Sequence, residues 1–307
     1  MKKTITLGVA LCAMTCPVGA QQAKTYSDGN RGEVLLPQGD LSFADAVADF
    51  TLGKGKPKAT AIEASAALGP PDYRGNNNDG SFTTLGCGGR LELAFTDNAL
   101  IDLDGPDLYV FEVGPDVEGT SLAISVDGTQ WIEVGLIEGG RSEVDINGFA
   151  LPGASYRYVR LTDDGIKCSG GFPGADIDAV AAIGSATRFV LDGGVLFAVD
   201  SAELLPEAQE ALSELAVEIA ASGLKYIQII GHTDADGDDA YNLMLSQARS
   251  TAVADFLKSR PDLEGVSATA KGAGETEPVA SNQTEAGRQA NRRVEIIATA
   301  TGDTDPK

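Results

Sequence analysis

Three side chains able to hold a charged ligand sit in one stretch of this 307-residue chain: the acid Asp234, the amide Asn242 and the long base Arg249. Asp234 follows an apolar run, Tyr226-Ile227-Gln228-Ile229-Ile230, that reads as a buried strand. An acidic, Gly-containing turn comes next, and then a helical pattern with Asp238 as a good N-cap. Leu245, Ala248, Ala252 and Phe256 recur at three-and-four spacing and predict the apolar face of that helix. Asn242 and Arg249 are seven residues apart, close to two turns, so both point the same way. An acid and a long base beside the N–H groups of a helix start suit a zwitterion. Its carboxylate would meet Arg249 and the helix N–H groups, and its ammonium would meet Asp234. Arginine suits this better than lysine, because its planar fork holds a carboxylate in two bonds.

The elements around these residues carry a resemblance. Gly231-His232-Thr233-Asp234, then Asn242, then Leu245-Ser246-Gln247-Ala248-Arg249 look like the OmpA-like C-terminal domain of bacterial envelope proteins. Gly272-Ala273-Gly274-Glu275-Thr276-Glu277-Pro278 and Gly287-Arg288-Gln289-Ala290-Asn291-Arg292-Arg293-Val294-Glu295-Ile296 follow in the family's order. The resemblance covers about residues 188–300 and implies non-covalent binding of peptidoglycan. It puts Asp234 and Arg249 on the diaminopimelate of the peptide stem, with Asn242 and Arg293 supporting the site. One departure is visible: Asp236, Asp238 and Asp239 make the turn more acidic than the family needs, and like charge weakens carboxylate binding. Read as a calcium loop starting at Asp234, the same run fails, since Asp239 and Leu245 stand where Gly and Glu are required.

Patterning around the motifs predicts how that domain is built. A strand opens at Arg188 after a linker of Gly184-Ser185-Ala186-Thr187. Pro206 suits the first turn of a helix whose buried stripe is Leu212, Leu215, Ala216 and Ile219, closed by Gly223. With the last strand from Arg293, the result is an α/β sandwich of order βαβαββ.

Residues 33–185 read differently. Gly, Asp, Asn and Pro punctuate short segments of strand character at 90–95, 108–113, 121–126, 131–134, 156–161 and 179–183. Short strands with almost no helix predict an all-β sandwich. Ser125-Val126-Asp127-Gly128-Thr129-Gln130-Trp131, Tyr158-Val159-Arg160-Leu161 and Asp176-Ile177-Asp178-Ala179-Val180 resemble the discoidin-like, galactose-binding-like jelly-roll family. That resemblance implies loops that bind a glycan or an envelope protein. Asp102, Asp104, Asp107, Asp176 and Asp178 could supply oxygen ligands to Ca²⁺ if two loops converge, or serve as turn formers and caps. No other cofactor is expected. The rival architecture is an outer-membrane β-barrel or porin carrying the same wall anchor. It wants longer strands and aromatic girdles, whereas aromatics are 6% of this chain.

Acids outnumber Lys and Arg by 45 to 23, a net charge of −22, which argues against nucleic acid or anionic lipid as partner. Met1-Lys2-Lys3, an apolar segment and Val18-Gly19-Ala20 read as a signal peptide over residues 1–20, with 21–32 as a linker. Leu11 and Thr15 precede Cys12 and Cys16, where lipidation wants a small residue. The expected location is the periplasm, associated with the outer membrane or cell wall, with any membrane contact peripheral. Cys87 and Cys168 remain in an exported chain and read as a disulfide, against a reading as free or metal-binding thiols. The one histidine, His232, would have to carry any Ser-His-Asp chemistry, and no catalytic residue is expected. Residues 301–307 read as a disordered tail.

Overall fold

The computed structural model describes residues 23–27, 32–114, 118–137, 143–151, 154–166 and 168–299. The signal-peptide and tail readings, residues 1–20 and 301–307, fall outside them. The first half holds strands β1 (Lys24–Ser27), β2 (Glu33–Leu36), β3 (Ala46–Thr51), β4 (Thr83–Thr84), β5 (Arg90–Ala94) and β6 (Asn98–Leu100). It continues with β7 (Leu108–Glu112), β8 (Thr120–Ser125), β9 (Ile132–Ile137), β10 (Glu143–Val144), β11 (Tyr158–Asp163) and β12 (Asp176–Ala182). One sheet runs β3-β5-β11-β8-β9, a second β10-β7-β12-β4, and β1 pairs with β2.

Side-chain alternation along each strand dictates how these layers stack. Leu91 and Leu93 of β5, Leu122 and Ile124 of β8, and Val159 and Leu161 of β11 meet Leu108 and Val110 of β7 in one buried core. The intervening Tyr109 and Phe111 of β7 point the other way, onto Tyr26, Val34 and Leu36 of the β1–β2 pair. The second sheet is therefore covered on both faces. Both sheets are open, and among the described residues none closes into a barrel, which removes the barrel alternative there. The stretch read as a linker is partly strand, because Tyr26 of β1 supplies part of that outer cover. Cys87 and Cys168 form a disulfide, with Cα atoms 5.1 Å apart.

The second half runs β13 (Ser185–Asp192), α1 (Gly193–Leu196), α2 (Pro206–Ala221), β14 (Tyr226–His232), α3 (Asp239–Lys258), β15 (Ser267–Gly274), α4 (Glu285–Asn291) and β16 (Arg293–Thr299). It is a mixed α/β layer structure with α1 and α4 added to the expected order. The sheet order is β15-β14-β16-β13, with β14 parallel to β15 and antiparallel to β16. Pro206 opens α2, and its stripe of Leu212, Leu215, Ala216 and Ile219 is buried as expected.

Helix α3 departs from its expected face. Asn242, Ser246, Arg249, Ser250, Val253, Ala254 and Leu257 are buried, while Ala248 is exposed and Leu245 only half-buried. The reason is a close approach of helix to sheet. A Cβ at Gly231 would lie 2.2 Å from the Ser246 carbonyl oxygen, and one at Gly272 would lie 2.6 Å from the Gln247 nitrogen. Ser246 fits the gap and uses it, its Oγ accepting from Gly274 N at 2.9 Å. In the first half of the helix the buried residues are small or polar and leave no hydrophobic period to read, whereas further along Ala252 and Phe256 pack against the core as expected.

The two halves share a sheet. β6 pairs with β13 through Ser185↔Leu100, Ala186↔Ala99 and Thr187↔Asn98, so most of the expected linker is strand.

Several carboxyl groups of the first half are buried. Burial pushes Glu112 up to about 9, and Asp97, Asp107 and Asp176 up to about 7. A carboxyl group raised in the folded state contributes stability below its unfolded value, and that contribution is lost as pH climbs to the folded value. Carboxylates held low, such as Glu295 beside Arg188, act oppositely and lose their contribution in acid. Stability followed by Trp131 fluorescence is therefore expected to be highest near the ordinary carboxylate range, pH ~4–5, and to fall from there toward pH ~9. Glu112→Gln should flatten the upper part of that slope; an unchanged slope would contradict the assignment.

Candidate functional site

The strand β14 delivers Asp234 to the edge of the sheet, where the N–H of the preceding Thr233 donates to the Gly274 carbonyl at 2.8 Å. Asp234 is buried, and its Oδ1 accepts from Asp236 N at 3.3 Å. Asn242, one turn into α3, stitches this corner together. Its Nδ2 donates to the Asp234 and Asp236 carbonyls at 3.3 and 3.2 Å and to Glu275 Oε2 at 2.6 Å. Asp238 caps α3, accepting from the N–H groups of Ala240 and Tyr241 at 3.0 and 3.3 Å. Two N–H groups expected to face a ligand are thus already satisfied by the chain itself.

Arg249 lies on the same buried helix face as Asn242. Its Nε donates to the Ser201 carbonyl at 2.9 Å, and its guanidinium lies 5.2 Å from the centre of the Phe197 ring. The loop after α1 therefore holds the base in place before any ligand arrives. That loop contains Asp200, which adopts φ +53°, a left-handed conformation that Asp tolerates better than most residues other than Gly. Burial pulls the Arg249 guanidinium below its ordinary range, while Asp200, Tyr241 and Asp234 push it back up. Asp234 thus acts on Arg249 through space, but among the described residues no ion pair joins them.

Arg293 goes elsewhere. Successive strand residues face opposite sides, and Val294 and Ile296 face the helices. Arg293 therefore lies on the far face of the sheet, its Nε donating to Glu295 Oε1 at 2.6 Å and its Nη2 to the Glu277 carbonyl at 3.1 Å. Arg292, one position earlier, is the base that pairs with Asp234, and it also reaches Glu285 Oε1 at 2.8 Å. Arg288 adds a contact to Asp236 Oδ2 at 3.4 Å. Sequence reading missed Arg292, Arg288 and Glu275; strand parity counted from the start of β16 was the signal that separates Arg292 from Arg293. His232 is buried beneath the site without a hydrogen-bond partner on either ring nitrogen, and burial holds it down to about 3. It is neutral at ordinary pH and unsuited to proton transfer.

The acids named in the first half fall into separate places. Asp102 and Asp107 meet Asp145, with one carboxylate oxygen of each within 4.8 Å of the others. Asp107 already accepts from Leu103 N and Ile146 N at 2.8 and 3.0 Å. Asp176 and Asp178 stand at the opposite end of the β7–β12 pair, one bonded to Thr84 and the other to the N–H groups of Asp72 and Tyr73. A groove of about 270 Å³ between β9 and β10 is lined by Leu122, Val134, Ile137, Val144 and Phe149, with Glu143 and Asp145 beside them.

The second half is thus an α/β domain in which Asp234, Asn242 and Arg249 are each held by the chain's own groups at the end of β14 and the start of α3. The chain belongs to the OmpA family, whose model matches residues 196–292. YfiB of Escherichia coli (strain K12) is 38% identical over 109 residues, which cover 36% of this chain and 68% of that protein. The outer-membrane lipoprotein YfiB of Pseudomonas aeruginosa is 35% identical over 113 residues, 37% of this chain and 67% of that one. The peptidoglycan-binding protein ArfA of Mycobacterium tuberculosis (strain ATCC 25618 / H37Rv) is 38% identical over 113 residues, 37% of this chain but only 34% of that one.

Proposed function

We propose that this protein is a non-catalytic component of the cell envelope that binds peptidoglycan non-covalently through the diaminopimelate of the peptide stem. The observation that carries the reading is that Asn242 ties the start of α3 to the Asp234 carbonyl at 3.3 Å, with Arg249 two turns further along the same buried face of that helix. The free end of diaminopimelate is an amino acid, with an ammonium suited to Asp234 and a carboxylate suited to Arg249. Arg292, itself paired with Glu285, holds the acid, and Phe197 and Ser201 hold the base. A relative whose name states peptidoglycan binding adds support. The outer-membrane relative supports an exported, envelope location. Residues 33–185 are proposed to form a jelly-roll-like sandwich that offers a second surface to a glycan or an envelope protein. No helix of the described residues is long and apolar enough to cross a membrane.

Competition decides the reading. The full chain is expected to sediment with purified sacculi, and free diaminopimelate should release it. Cadaverine, which keeps the ammonium groups and has no carboxylate for Arg249, should not. Equal release by both, or by neither, would overturn the assignment.

A further inference from the structure

The sheet of the ligand-binding half has its helices on one face only. On the other face, Ile230, Ala273, Ile297 and Ala186 pack against Ile101 and Leu103 of the first half. Beside that apolar patch lies a buried charge cluster. Glu295 accepts from Arg188 Nε at 2.8 Å and from Arg293 Nε at 2.6 Å. Arg188 also donates through Nη1 to the Thr96 carbonyl of the first half at 3.2 Å. Arg157, buried and fixed by a 2.9 Å bond from its Nε to the Val126 carbonyl, is a third guanidinium, whose charge is felt by Glu295 and Glu277. Gln38 Nε2 closes the joint with a 2.8 Å bond to the Ser185 carbonyl.

Ordinary inter-domain contacts are polar and permit relative motion. A joint built on a shared sheet, an apolar patch and a buried ion cluster does not, because parting it would strand charges in a half-dry interface. We infer that the sandwich is docked on the open face of the OmpA-family sheet as one cooperatively folding unit. The first half is then presented at a fixed angle to Asp234 and Arg249, not on a swivelling linker. The inference rests on the fold, so it stands or falls separately from the ligand.

Two signals follow the halves independently. Among the described residues all four α-helices lie in the second half. The chain's one Trp, Trp131, lies in the first, 3.8 Å from the Arg160 guanidinium. Thermal unfolding of the full chain, followed by helical circular dichroism and by Trp fluorescence, is expected to give superimposable transitions. Arg157→Glu sets a carboxylate against Glu295 and Glu277, and Leu103→Asp wets the apolar patch. Each is expected to pull the two transitions apart by about 5–15 °C. Should Arg157→Glu fail to fold, Leu103→Asp decides. Separate transitions in the unmodified chain would overturn the inference, and so would superimposable transitions kept in every folded variant.

Discussion

Arg249→Ala is expected to weaken sedimentation with sacculi by roughly ten- to a hundred-fold, and Asp234→Ala by a similar factor. Each removes a charge-assisted hydrogen-bonded contact worth about 1.5–3 kcal/mol, and about 1.4 kcal/mol is tenfold in affinity. The two variants fail for different reasons. Without Arg249 the ligand carboxylate loses its partner, and the 198–201 loop loses the donor to Ser201. Without Asp234 the Arg292 guanidinium keeps only its Glu285 and Gln289 partners and adds a positive charge where an ammonium must sit. Arg249→Lys isolates the fork, since it keeps the charge and loses the two-bond geometry, and should fall between wild type and Arg249→Ala. Arg293→Ala is the discriminating control. Its side chain lies across the sheet with Glu295, so at equal folded fraction it should bind sacculi like wild type while unfolding more readily. Loss of binding in Arg293→Ala alone, with both other variants unaffected, would move the site to the wrong face and end the account.

What could be read from the sequence follows from how each feature is encoded. Strands β5 and β11 were legible because Leu91, Leu93, Val159 and Leu161 alternate with polar residues, and β7 and β8 because short apolar runs stand between turn formers. Helix α2 was legible because its buried stripe is apolar. Helix α3 was legible as a helix but not in its facing, since Gly231, Gly272, Ser246 and Ser250 build a close contact from residues that carry no hydrophobic signal. The phase of Asn242 with Arg249 survives that error, because it depends only on helical pitch. Arg292 and Arg293 are adjacent and chemically identical, so only the start of β16 tells which one faces Asp234. The joint between the halves was hidden for another reason. It brings Ser185–Thr187 against Asn98–Leu100, a long-range pairing in segments with the composition of a linker.

That close contact carries the second large effect. Gly231→Ala is expected to destabilise the chain by at least about 3 kcal/mol, at or beyond the top of the usual range for overpacking. The new Cβ would meet the Ser246 carbonyl oxygen at 2.2 Å, and no rotamer change elsewhere can relieve a backbone atom. Gly223→Ala is the control. Gly223 has φ +72° with nothing within 4 Å of its Cβ position, so it bears only the left-handed strain of about 1–2 kcal/mol. Urea unfolding should order the two variants accordingly, and equal loss in both would show that α3 can retreat without cost. Retreat would itself be visible in binding. Asp234 rides on the strand, whereas Asn242 and Arg249 ride on the helix, so the added methyl group moves base away from acid. Folded Gly231→Ala is therefore expected to bind sacculi less well than wild type although no ligand contact has been removed. That outcome would show that the distance between β14 and α3, set by two glycines and two serines, fixes the width of the site.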